Sequence, residues 1–411
     1  MDGHSEVPRL LKAAEAAAPV GAVDAVAEEL LRRFGATRVS FLIVDLTGKA
    51  VVPLSTASQA EAGAGQHAHR IDLTGSVYEQ VVRTQEPYRE KTDQGERVIF
   101  PVTNRGDAIG LLELLLPAGP AGPGEGVLDA VGEAAHALAY IVIANQRFTD
   151  LYTWGRRSRP LTLAAEIQHQ LLPSSLTCEA AQFALCGVLA PSEDISGDTF
   201  DYTLDRDTLH LSVTDTMGHH LEAALSATIL VGALRSARRQ GADLLEQARQ
   251  ADQALAEHRP PGHATGQLVR IDLHTGHAQL VNAGHPWPLR MRDGQVEEVT
   301  LEVDPPFGLS LPVPHSHRVQ ELDLWPGDRL IMLTDGMLER GAEKVDLPAL
   351  VKGTRNLHPR ETALTLTTAV MDAAGDQLED DATLMCLDWY GAQETRPHVG
   401  SGADTGQTSL Q

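Results

Sequence analysis

The sequence predicts an α/β protein built as two folded units with a break between them. Three observations carry that prediction. The length of 411 residues corresponds to two or three units at about 150 residues each. Stretches with a two-residue apolar period alternate with helix-period stretches over residues 20–117, and helices and strands alternate again over 160–390. Between them, residues 117–126 read Pro-Ala-Gly-Pro-Ala-Gly-Pro-Gly-Glu-Gly, a density of proline and glycine that no regular element tolerates.

In the first unit, Val39, Phe41 and Ile43 alternate as in a half-buried strand, and Leu46-Thr47-Gly48-Lys49 supplies the turn before Ala50-Val51-Val52. The device recurs: Val98, Phe100 and Val102 alternate before the turn Asn104-Arg105-Gly106-Asp107, and residues 109–116 return as a strand. The phrases RVSFLIVD, GSVYEQVVRTQEPY and VIFPVTNRGDAIGLLEL resemble a GAF domain over residues 20–117. That resemblance implies a sensor unit for a small-molecule or protein signal. No haem ligand, chromophore cysteine or nucleotide signature stands out, and His67 and His69 read as loop histidines.

Residues 118–159 read as the break followed by a helical linker. Leu128, Val131, Ala135, Leu138 and Val142 fall at steps of three and four, which suits either a helix packed on its own domain or a seam that forms a homodimer. The tail over 391–411 has too few apolar residues to pack and reads as disordered.

Composition narrows the function classes. A hydrophobic fraction of 42% with 22% charged residues excludes collagen-like, coiled-coil-only and wholly disordered chains. A formal charge of -23 opposes binding to phosphate backbones and anionic membrane surfaces, so neither a nucleic acid nor a membrane is an expected partner. Three cysteines without CxxC spacing indicate neither a disulfide framework nor a thiolate zinc site, and suit a reducing cytoplasm. No basic start followed by an apolar core opens the chain, and its apolar stretches look too interrupted to span a membrane.

The residues that carry chemistry are acids at strand ends. Leu209, Leu211 and Val213 share one strand face, which puts Asp215 at the strand end on that inward side. An acid there is costly unless something pairs with it. An apolar strand runs into Asp335-Gly336, and the pair Asp380-Asp381 precedes the strand over 382–387. Asp198 is the fourth such site. Each alone reads as an ordinary turn or cap. Together, with no histidine or cysteine at ligand spacing, an all-oxygen set favours Mg2+ or Mn2+ over zinc or copper. Two such ions could share one carboxylate, acidify a bound water and steady the charge on a phosphoryl group.

Seven phrases in order resemble the PPM (PP2C-like) serine/threonine phosphatases of the bacterial sporulation and stress-regulator type, over residues 160–390. They are LAAEIQHQLLP, ISGDTFDY, LSVTDTMGHHLEAAL, LVNAGHPWPL, PPFGL, PGDRLIMLTDGMLERG and DDATLMCL. The resemblance implies an α/β sandwich of two antiparallel sheets flanked by helices, with a two-ion Mn2+ or Mg2+ centre at one end. It makes Asp215 the bridging ligand, aided by the Thr216 carbonyl. Asp335 and Asp380 become ligands of the ion that holds the nucleophilic water, Asp198 joins the centre, and Asp381 is the less direct member of its pair. The implied substrate is a phosphorylated STAS-type anti-sigma-factor antagonist. The helix over 163–172, with Ala164, Ile167 and Leu171 on one face, resembles the family's regulatory helix.

Two departures stand out: Ser196-Gly197-Asp198 for Gly-Gly-Asp, and Gly218-His219-His220 for Gly-Lys-Gly. Adjacent histidines diverge around a helix start, so His219-His220, like His315-x-His317, is not expected to bind metal. Asn282 to His285 is expected to shape a loop, Glu339 to cap or pair locally, and no arginine matches the phosphate-binding arginine of eukaryotic relatives. The rival readings are a catalytically weak phosphatase-like scaffold and, further off, a two-metal nucleotide cyclase, which lacks any triphosphate-cradling loop.

Overall fold

The computed structural model describes residues 7–55, 69–118, 124–157, 161–192, 197–218, 220–258, 262–310, 316–338, 341–375, 378, 380–392 and 402–404. The chain divides into two compact units, Met1–Pro160 with Pro397–Gln411, and Leu161–Arg396.

The N-terminal unit runs α1 (Val7–Ala16), α2 (Ala22–Phe34), β1 (Arg38–Val44), β2 (Ala50–Pro53), β3 (Ile71–Asp72) and α3 (Val77–Thr84). It continues with β4 (Tyr88–Thr92), β5 (Gly95–Asn104), β6 (Asp107–Leu116), α4 (Glu125–Asn145) and α5 (Leu151–Gly155). Its antiparallel sheet has the order β3-β2-β1-β6-β5-β4. The expected alternation holds: Phe41, Ile43, Val98, Phe100 and Val102 face the core shared with α1, α2 and α4. Leu42 and Ile99 face α3. The β5–β6 turn uses left-handed Arg105 and Gly106, the pattern that matches strand twist.

Of the two readings of the stripe on α4, packing on its own domain is the one observed: Val131, Ala135, Leu138 and Val142 are core residues. Two expectations change here. The same helix is long and apolar enough by composition to cross a membrane, which the reading of interrupted apolar stretches missed; here eight of its residues are buried in the unit. Finally, the tail is not wholly unpacked. Gly402 O accepts a 2.9 Å hydrogen bond from Gly106 N, and Ala403 and Asp404 are buried, because small residues let the backbone lie directly on the β5–β6 turn.

The C-terminal unit begins with α6 (Leu163–Leu171), β7 (Thr177–Glu179), β8 (Phe183–Ala190), β9 (Thr199–Leu204), β10 (Thr208–Thr216), α7 (His220–Arg239) and α8 (Leu244–Glu257). Then come β11 (Ala264–Asp272), β12 (His277–Ala283), β13 (Leu289–Arg292), β14 (Gln295–Glu298) and β15 (Gln320–Asp323). The last elements are β16 (Arg329–Leu333), α9 (Leu347–Gly353), α10 (Pro359–Ala374) and β17 (Ala382–Trp389). Two antiparallel sheets, β15-β12-β11-β10-β9 and β14-β13-β16-β17-β8-β7, stack on each other. Their inner faces meet through Leu211, Val213, Val269, Met332, Met385 and Phe183. Helices α7 and α8 cover the first sheet, and α9 and α10 the second. The result is the predicted sandwich of helix, sheet, sheet and helix. All three cysteines are buried and none forms a disulfide.

Candidate metal centre

Strand register brings the acids to one rim of the sandwich. In the first sheet β10 ends at Thr216 where β9 begins at Thr199, so Asp215 and Asp198 are neighbours. In the second, Leu333 pairs with Leu384, which sets Asp335 beside the Asp380-Asp381 turn. Thr334 N then donates to Thr383 O at 3.0 Å.

Two glycines let these loops touch. A Cβ on Gly197 would lie 1.6 Å from Thr216 Oγ1 and 2.8 Å from the Thr216 carbonyl oxygen. One on Gly336 would lie 2.0 Å from the Asp381 carbonyl oxygen. The glycines of the Ser-Gly-Asp and Thr-Asp-Gly phrases are therefore required by close approach.

Hydrogen bonds fix the acids. Thr334 Oγ1 donates to Asp198 Oδ2 at 2.8 Å and accepts from Thr383 N at 3.0 Å. Asp381 accepts from Ser192 N at 2.8 Å on Oδ1 and from Gln168 Nε2 at 2.6 Å on Oδ2. Gln168 Nε2 also donates to Asp198 O at 2.8 Å. Asp380 Oδ1 accepts from Asp381 N at 2.9 Å.

Electrostatics disfavours so much negative charge. Burial raises the Asp215 carboxyl to about 7, helped by the charges of Asp335, Asp380 and Asp381 and opposed by a hydrogen bond with Asp198. Burial also pushes Asp198 well above the usual carboxylate range, with further push from Asp215 and Asp381 and some relief from Thr383 and Thr334. Among the described residues, no three of these side chains are drawn together as a ready-made ion site. The donor set still fits hard divalent cations, because buried oxygen ligands of one sign are stabilised when positive charge joins them.

Gln168 was missed by sequence reading. The face of α6 expected to pack was Ala164, Ile167 and Leu171, whereas the buried residues are Ala164, Ala165 and Gln168. The available signal was a glutamine four residues after Ala164, on an apolar face where a polar group must find partners. Arg235 was also missed: it donates to Leu171 O at 2.6 Å and holds both oxygens of Asp201, tying the end of α6 to α7 and β9.

The remaining candidates fall outside the centre. Asn282 brackets the loop, accepting from His285 N at 2.8 Å and donating to His285 O at 2.9 Å, as expected of a loop-shaping residue. His317 is buried, tilts against Phe307 and bonds Pro305 O. His220, where the family pattern has glycine, takes a left-handed φ of 57°. Ser196, His219, His315 and Glu339, like His67 of the first unit, lie outside the described residues.

A rim of carboxylates on a sandwich of two sheets and flanking helices defines the class: an α/β sandwich with acids gathered at one end. Residues 205–390 match the family model for stage II sporulation protein E (SpoIIE). The chain is similar to phosphoserine phosphatase RsbP of Bacillus subtilis, 24% identical over 187 residues, 44% of this chain and 45% of the relative. Phosphoserine phosphatase RsbU of the same organism is 20% identical over 235 residues, 55% of this chain and 69% of the relative. The match thus spans about half the length of RsbP. Among solved structures, the PP2C phosphatase domain of Bacillus subtilis SpoIIE, with a fragment of its regulatory domain, matches at 21% identity and a TM-score of 0.44, covering 51% of this chain and 65% of that one.

Proposed function

We propose that this chain is a metal-dependent phosphoprotein phosphatase acting on phosphoserine or phosphothreonine. The substrate in this reading is a phosphorylated STAS-type anti-sigma-factor antagonist in a cytoplasmic partner-switching pathway, and the N-terminal unit is a GAF-like sensor. The observation that carries it is the rim of Asp198, Asp215, Asp335, Asp380 and Asp381, where burial and the neighbouring carboxylates raise the proton affinity of Asp198 and Asp215. That two similar proteins are named phosphoserine phosphatases supports it.

Two Mn2+ or Mg2+ ions held by Asp198, Asp215, Asp335, Asp380 and the Thr216 carbonyl would supply an acidified water and offset phosphoryl charge. Asp381 fits a positioning role better, since both its oxygens already accept hydrogen bonds. Gln168 orients Asp381, and Thr334 orients Asp198.

The rival reading, a scaffold with weak turnover, draws on the strained His220 beside the centre. One experiment separates them: phosphate release from a phosphoserine STAS-type protein with Mn2+, with Mg2+ and with chelator, alongside Asp335→Ala. Metal-dependent release that the substitution removes is expected. No release under any metal, by the full chain or by residues 160–390 alone, favours the scaffold.

A further inference from the structure

Residues 284–288 carry the chain from β12 of the first sheet to β13 of the second, and they cross at the end of the sandwich where Asp215 stands. The crossing is built around His285. Asn282 holds the His285 backbone on both sides, and Gln267 Nε2 donates to Pro286 O at 2.5 Å. Both of those amides are fully buried. Gly284 turns the chain with a left-handed φ of 71°, and a Cβ there would lie 2.9 Å from the Pro306 ring. What this fixed backbone presents to the interior is one imidazole.

His285 is only 3% exposed. Its Nδ1 lies 2.9 Å from Thr265 Oγ1. Strand register sets Thr265 directly opposite Asp215, on the same face and with Cβ atoms about 5 Å apart. On its other side the ring meets the Leu333 carbonyl of β16, through a buried Nε2 whose geometry is looser than a full hydrogen bond. Leu333 stands two residues before Asp335. One ring therefore links the neighbour of Asp215 in the first sheet to the strand that delivers Asp335 from the second.

The direction of these contacts follows from the ring's charge. Burial keeps the imidazole neutral, and a neutral imidazole has one donor and one acceptor nitrogen. A carbonyl can only accept, so the proton belongs on Nε2, and Nδ1 accepts from the Thr265 hydroxyl. With its hydrogen spent on the ring, the half-buried Thr265 oxygen is left as an acceptor alone. Such an oxygen beside Asp215 suits a cation or a water, not the oxygen of a phosphate.

We propose that His285 and Thr265 form a positioning pair for the rim: the ring holds the Thr265 oxygen as an acceptor beside Asp215, adding to the oxygens offered to a divalent cation and its water shell, and sets the spacing to Asp335. The inference rests on the divalent-cation reading of the rim and not on the identity of the substrate.

The test reads Mn2+ binding to the full chain by calorimetry, with melting temperatures in chelator as the control for folding. Thr265→Val keeps the side chain's shape and drops the hydroxyl, and it should weaken Mn2+ about 10–100-fold with little change in the chelator melt. Thr265→Ser should bind nearly as the wild type does. His285→Phe keeps a flat ring and drops both nitrogens. It should match Thr265→Val, and the double variant should be no weaker than either, because the two residues act as one. Thr265→Val decides alone should His285→Phe fail to fold. A merely structural pair would do the reverse, lowering the chelator melt with Mn2+ affinity unchanged, and that result overturns the proposal. So do losses that simply add in the double variant. Turnover does not enter this readout, so a chain that binds Mn2+ and releases no phosphate refutes the phosphatase reading alone, whereas one that binds neither Mn2+ nor Mg2+ overturns both.

Discussion

Asp215 and Asp335 reach the rim from different sheets, so neither can stand in for the other. Asp215→Ala or Asp335→Ala is expected to cut phosphate release more than about 100-fold, beyond the usual effect of losing an outer-shell partner. Both variants should stay folded, as each removes a charge that the buried site resists; wild-type rates in either would refute the assignment. Gln168 acts through others. Gln168→Ala strips a donor from Asp381 Oδ2 and from Asp198 O, so unfolding should become easier by about 1–3 kcal/mol. The Mn2+ concentration for half-maximal activity should rise about 10–100-fold. An unchanged metal titration would show that Gln168 merely packs.

At the scale of elements, the centre depends on loops that touch because two residues lack side chains. Gly197→Ala and Gly336→Ala should separate the rims, costing about 1–3 kcal/mol of overpacking and most of the activity. A structure of either variant with the loops unmoved and full turnover would contradict this. At the start of α7 the opposite change helps: His220→Gly removes a left-handed non-glycine residue worth about 1 kcal/mol or more, and should raise the melting temperature. Much of this framework was legible in the sequence, because the period-two strands that run into Asp215 and Asp335, and the one that follows Asp380-Asp381, mark which strand ends gather acids. Gln168 was not legible, since a glutamine on an apolar helix face looks like an interruption until its partners, 30 and 213 residues away, are known. The stripe on α4 likewise announced a buried face but not what buries it; a sheet in the same unit and a second helix leave the same pattern.

Across the whole C-terminal unit, burial creates two opposing proton balances. Burial holds His285 down to about 3, and burial with the charges of Arg238 and Arg270 holds His210 down to about 4. Both are neutral when folded yet bind a proton near 6.5 when unfolded, so their contribution is present above that pH and lost as pH falls toward the folded values. Asp215 works the other way: its carboxyl is raised from 3.8 to about 7, the folded state binds the extra proton, and acidification through that window stabilises the metal-free protein. Mn2+ held at the rim would keep the carboxylates ionised, which would remove this offset, and acid would then also have to displace the ions. At pH 7.5, Mn2+ should therefore raise the melting temperature, by about 2.7 kcal/mol of stability at a hundredfold excess over its dissociation constant. Between pH 7.5 and 5.5 that temperature should fall steeply with Mn2+ and much less with chelator. Thermal melts in both conditions decide it, and parallel slopes would mean that the raised carboxylates and the ion site are not the same groups.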